Sequence, residues 1–180
     1  MKKIIVVLIL GLFTCICSAE EITLFEGFDA IPWGTCFEEI NKIYPNARNI
    51  TLPKQKAVGE KVLSVTENGP TMSYYFFNDK LYKGRIYISD INHNAVIAVY
   101  SILCNTYGEP YGGHPIEGGD VWLKKKGYSS FWAPFAKLGI SFEYVSTLDA
   151  SNRLMGNNLS IEYCDLKTSH EVNEAKKKKE

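Results

Sequence analysis

The chain has 180 residues, 20 basic and 20 acidic side chains and therefore no net formal charge, with 46% hydrophobic and 13% aromatic residues. This balance excludes a general field drawing the protein onto nucleic acid, and it excludes a highly charged, disordered chain. The length suits one ordinary domain with enough residues to bury a core.

At the N-terminus, Lys2 and Lys3 precede an apolar run from Ile4 to Phe13, and Cys17-Ser18-Ala19 follow before Glu20-Glu21. A positive start, a short apolar centre and small residues at a cut site read as a secretory signal peptide over residues 1–19, and the run is too short to span a bilayer. Cys15 follows Phe13-Thr14 and Cys17 follows Ile16, whereas a lipid-attachment cysteine follows small residues directly. Simple cleavage after Ala19 is therefore expected, giving a secreted or periplasmic protein in preference to a lipoprotein. The mature chain carries 18 basic and 20 acidic residues and no further run long enough for a transmembrane segment. Export permits disulfides, so Cys36, Cys104 and Cys164 either form one bridge, in any of three pairings, or remain small buried apolar side chains.

The mature chain reads as a single domain over 20–167. Thr35-Cys36-Phe37-Glu38 has the form of a capping box and opens a helix, with Phe37, Ile40, Ile43 and Tyr44 on one face and Pro45-Asn46 at its end. Asn49 to Glu60 reads as a loop. Val62–Glu67, Thr71–Phe77 and Leu81–Ser89 are rich in β-branched and aromatic residues, and the turn-forming clusters Asn68-Gly69-Pro70 and Asn78-Asp79-Lys80 separate them, so an antiparallel meander is expected with a bulge at Gly84. A second helix runs from about Asn94, with Val96, Val99, Tyr100, Leu103 and Tyr107 at helical spacing, and Gly108 and Pro110 stop it. After a glycine-rich loop, residues 108–120, strands follow at Asp120–Lys126, Ser129–Phe135, Leu138–Val145 and Asn158–Cys164, with Pro134 marking the second as an edge or broken strand. The charged tail 168–180 is expected to be disordered. The order of elements suggests half-repeats over 28–90 and 91–166, and the fold class is α+β, an antiparallel sheet with two helices.

Ile31-Pro32-Trp33-Gly34-Thr35 entering a helix, followed by an aromatic meander containing Tyr75-Phe76-Phe77-Asn78-Asp79-Lys80-Leu81, resembles small exported bacterial modules of the β-lactamase-inhibitor-protein type and the related outer-membrane assembly lipoproteins. The resemblance implies a non-enzymatic protein that binds another protein in the envelope or outside the cell. It carries over no binding residue.

Several groups of residues are candidates for function. Tyr111, His114, Glu117 and Asp120 lie among the glycines of the 108–120 loop, where the backbone can approach a ligand closely. His114, Glu117 and Asp120 are of metal-ligating type, yet solvation in a loop is the simpler reading and no metal is assigned. Trp33, Tyr111, Trp122, Tyr128, Phe131, Trp132 and Phe135 form an aromatic set suited to a core or to a contact surface, with Tyr128 and Trp132, around a turn, expected to be the exposed pair. Lys124-Lys125-Lys126 suits a solvated edge strand, and contact with a phosphate or an anionic lipid head group is the alternative. Cys36, in the first turn of a helix, is the best candidate thiol nucleophile, and a partner base would have to come from His93, His114 or His170.

The leading expectation is a non-enzymatic exported protein that binds another protein, with Tyr111, His114, Tyr128 and Trp132 as binding residues, no catalytic residue, no cofactor and no nucleic acid. The alternatives are a small-ligand or glycan-binding module using the 108–120 loop, and a thiol-dependent enzyme centred on Cys36.

Overall fold

A computed structural model of the chain describes residues 26–66, 69–120, 122–134 and 137–178. The expected signal peptide, Phe135 and part of the turn at Asn68 lie outside the described residues. No helix among them is long and apolar enough to cross a membrane.

Strands β1 (Gly27–Phe28) and β2 (Ile31–Pro32) form a hairpin through Asp29 and Ala30, whose φ angles of 55° and 58° give the turn that matches strand twist. Then come helix α1 (Phe37–Ile43), strand β3 (Arg48–Asn49), helix α2 (Pro53–Ala57), and strands β4 (Glu60–Thr66), β5 (Thr71–Phe77) and β6 (Lys80–Ser89). Helix α3 (His93–Tyr107) leads into β7 (Gly112–Gly119), β8 (Leu123–Trp132), β9 (Leu138–Asp149) and β10 (Leu154–Asp165), and α4 (Leu166–Lys177) closes the chain. Strands β3 to β10 make one antiparallel sheet of eight in the order β3-β4-β5-β6-β10-β9-β8-β7. The fold is α+β. The chain up to Ser89 supplies α1, α2 and the meander β3 to β6, residues 93–165 supply α3 and the meander β7 to β10, and the two meanders meet where β6 pairs with β10.

Side chains alternate across the sheet, and the two faces are covered differently. On the first face Leu63, Val65, Tyr74, Phe76 and Leu81 pack with Phe28, Ile31 and Ile40 of the N-terminal hairpin and α1. Further along the same face, Trp132, Ile140, Phe142, Leu159 and Ile161 pack under Val96, Val99 and Leu103 of α3. Trp33, Ile86 and Tyr163 touch both clusters and join them. On the second face a smaller cluster of Val62, Tyr75 and Tyr82 sits under Val172 of α4. Helix α4 thus covers the second face at the β4–β6 end.

Local differences from the sequence reading have physical causes. The box at α1 is one residue later than expected: Glu39 Oε2 accepts from the Cys36 backbone N–H at 3.1 Å, while the Thr35 hydroxyl donates to the Pro32 carbonyl. Within 49–60, Pro53 starts the short α2 and Gln55 Oε1 accepts from the Leu52 N–H at 2.8 Å. The bulge in β6 falls between the pairs Tyr75↔Lys83 and Phe76↔Leu81, just before Gly84. Two expected strands merge into β8, because Gly127 stays in the ladder between Ile116 and Val145, where a β-carbon would collide with the Tyr144 carbonyl. The glycine-rich loop is mostly strand β7, the edge of the sheet, paired with β8 from Gly112 to Gly119.

The tail is helical, not disordered, through Lys177. Asp165 caps α4 by accepting from the Thr168 N–H at 2.8 Å, and Val172 is buried. Lys176 Nζ lies 3.3 Å from Oε2 of Glu60, which is 1% exposed and whose other oxygen accepts from the Tyr82 hydroxyl. That Oε2 has no well-aligned hydrogen bond, so the nearby ammonium supplies its compensation.

Candidate functional site: the open sheet face

Beyond α4, register sets a band of side chains across the second face. His114 stands opposite Ser129, Ser129 opposite Glu143, Glu143 opposite Ser160, and Ser160 opposite Tyr87, so one row crosses β7, β8, β9, β10 and β6. A neighbouring row runs from Gly112 through Phe131, Ser141 and Glu162 to Arg85. Phe131 is 41% exposed and Tyr87 39% exposed, and Gly112 beside Phe131 has no side chain to cover its ring. The band combines two uncovered aromatic rings with serines, a histidine and carboxylates.

A charged cluster fixes the end of the band nearest α4. Arg85 Nε donates to Glu162 Oε1 at 2.6 Å, Lys83 Nζ lies 3.5 Å from Oε2, and the same ammonium sits 4.0 Å from the centre of the Tyr75 ring. Burial opposes ionisation of Glu162, but Lys83 and Arg85 together outweigh it and hold this carboxyl below its ordinary range. Burial raises the Tyr75 hydroxyl, so that group stays neutral.

The four residues singled out in the sequence are not brought together. Ser129 Oγ lies 3.1 Å from Nδ1 of His114 on the open face. Tyr128 is 41% exposed but belongs to the opposite face by alternation, with its ring against Gly113. Trp132 is a correction: at 1% exposure it is a core residue, its indole N–H donating to the Gly108 carbonyl at 2.9 Å. It is buried because β8 runs straight under α3 with no turn at Gly127. Tyr111, 81% exposed, and Trp132 do share a cavity of about 350 Å³ with Thr106, Tyr107, Glu109, Ala133 and Pro134.

The other candidates separate as well. His114 and Glu117 are three apart on one strand and so point to opposite faces, while Asp120 accepts from the Trp122 and Leu123 N–H groups in a turn. Cys36 lies at the start of α1, over the β4–β6 half. His93 opens α3 with its ring near Tyr144, His114 is on the far edge strand, and His170 is on α4 across the sheet. No fold element places an imidazole beside the thiol. Nor does the Ser129–His114 pair have the order of a catalytic triad, since Glu143 stands on the far side of the serine and not behind the imidazole.

No protein-family model, curated protein or solved structure matches this chain. Sequence reasoning missed Ser129, Glu143, Ser160, Tyr87 and Arg85 as members of one band with His114. They come from four strands, and the only local signal was the β-branched and aromatic alternation of each.

Proposed function

We propose that this is an exported, non-catalytic protein that binds another protein through the band from His114 to Tyr87. The observation that carries the reading is the pair of uncovered rings, Phe131 and Tyr87, set among hydrogen-bonding side chains on a face that α4 leaves open. Aromatic anchors with a polar surround are the composition of protein interfaces. Export is supported by Lys2, Lys3, the Ile4–Phe13 run and Cys17-Ser18-Ala19, and the resemblance to exported inhibitor-type modules points the same way. A photo-crosslinking residue at position 131, compared with one at the exposed Leu52, tests the reading in the native host. A discrete protein adduct at 131 and none at 52 is expected, and equal labelling at both positions overturns it. The mature protein should have the mass of Glu20–Glu180.

A half-open cavity lined by Tyr111, Tyr107 and Pro134 is where a second reading, a small ligand or glycan, would be placed. Tyr111→Ala separates the two: it abolishes ligand binding on this reading and leaves the adduct at position 131 unchanged on the first.

A further inference from the structure

Lys124-Lys125-Lys126 does not protect an edge, because β8 pairs with β7 on one side and β9 on the other. Their place is instead just behind the tips of two neighbouring hairpins. The β7–β8 tip carries Trp122 and Leu123, and the β9–β10 tip carries Leu154 and Met155; these four are 74, 47, 57 and 63% exposed. The tips lie side by side, with Leu123 opposite Asp149 and Lys124 Nζ donating to Asn152 Oδ1 at 3.0 Å. From these contacts we propose that the paired tips dock end-on into an anionic lipid surface.

Three features select a bilayer over a protein. The apolar residues sit at the ends of two adjacent hairpins and are exposed there. By strand alternation Lys124 and Lys126 point to one face and Lys125 to the other, so cations flank the tips on both sides, as suits a plane met end-on. At about 3.4 Å per residue the lysines stand roughly 7–14 Å along the strand from Trp122, so their ammonium groups follow the apolar tip on the headgroup side when the tip is inserted.

The local charges agree with an anionic surface. Asp120 accepts from the Trp122 and Leu123 N–H groups, and Asp149 accepts from the Ser151 and Arg153 N–H groups and from the Arg153 side chain, so both carboxylates fold back into their turns. Glu117 stands opposite Lys126. In the ladder Lys124 and Lys125 face Leu148 and Gly119, and Thr147 and Gly118, while Asp149, held below its ordinary range first by the Arg153 N–H, also feels the Lys124 ammonium. The whole chain has no net charge and holds a second lysine run at Lys176–Lys179, so replacing Lys124 and Lys125 is what assigns an anionic preference to this end of the molecule.

The protein carries its own reporter, since Trp122 is exposed whereas Trp132 is buried and Trp33 is packed against both cores. The test is co-sedimentation and tryptophan emission of the purified protein with vesicles of phosphatidylglycerol and phosphatidylcholine, against phosphatidylcholine alone. Binding to the anionic vesicles with a blue shift is expected, weakening as salt rises. Trp122→Ala with Met155→Ala should weaken it about tenfold or more, and replacing Lys124 and Lys125 by Ser roughly fivefold per lysine, with unchanged circular dichroism. Phe131→Ala should leave vesicle binding intact, so failure here and failure of the protein-binding reading are distinguishable. No sedimentation with anionic vesicles, equal affinity for both vesicle types, or tip variants that lose only a protein partner would each overturn the proposal.

Discussion

The ring of Phe28 occupies the space that a β-carbon on Gly84 would need, so β6 passes beneath the N-terminal hairpin only with glycine at that position. The same ring packs edge-on against Tyr74, with centroids 5.4 Å apart. The hairpin is held further by Asp29 Oδ2, which accepts from the hydroxyls of Tyr44 at 2.5 Å and Tyr74 at 2.7 Å. Gly84→Ala should therefore displace Phe28 and cost about 1–3 kcal/mol, read from urea unfolding. An unchanged midpoint would show that the hairpin does not depend on this contact.

Removing residues 166–180 takes Val172 and Lys176 together from the second face. Val62, Tyr75 and Tyr82 are then bared and Glu60 loses its nearby ammonium. The single change Lys176→Met should cost about 1–3 kcal/mol by leaving a buried carboxylate less compensated, and the truncation should cost more. Resistance of the 166–177 segment to limited proteolysis checks the same packing, and rapid trimming back to Asp165 would contradict it.

Glu162 gives a pH dependence of known sign. Its carboxyl is held below the ordinary glutamate range near about 4.3, so it binds protons less readily in the folded protein than in the unfolded chain. The stabilisation is complete above that range and is lost as pH falls through the lowered folded value. Glu162→Gln should cost about 1 kcal/mol at neutral pH, a modest figure because Arg85 is 40% exposed and water screens the pair. The difference between variant and parent should shrink in acid; a difference constant with pH would assign the effect to packing.

Cys36, Cys104 and Cys164 are all free thiols. Alkylation of the denatured protein without reductant should label all three, and a peptide joined by a disulfide would contradict the structure. In the native state Cys164 should react slowly, since burial raises its pKa and its sulfur packs against Gly139.

Most of the local structure is determined by the sequence alone. The β5 strand at Thr71–Phe77, the two-residue turn at Asn78-Asp79 and the long helix ending at Gly108 follow from alternation, turn chemistry and helical spacing. These are properties of neighbouring residues, and neighbours are what a sequence displays. Context decided the rest. Gly127 looked like a turn but is a ladder residue, because the strands on either side pair through it. The 112–119 segment looked like a loop but pairs with β8, and the charged tail is ordered only because Val172 and Lys176 meet Val62, Tyr82 and Glu60, far earlier in the chain. The candidate site was less legible still. Which strand lies beside which, and in what register, places His114 in a row with Tyr87 and sets the β7–β8 tip next to the β9–β10 tip; no local pattern encodes a pairing between strands so far apart in the chain.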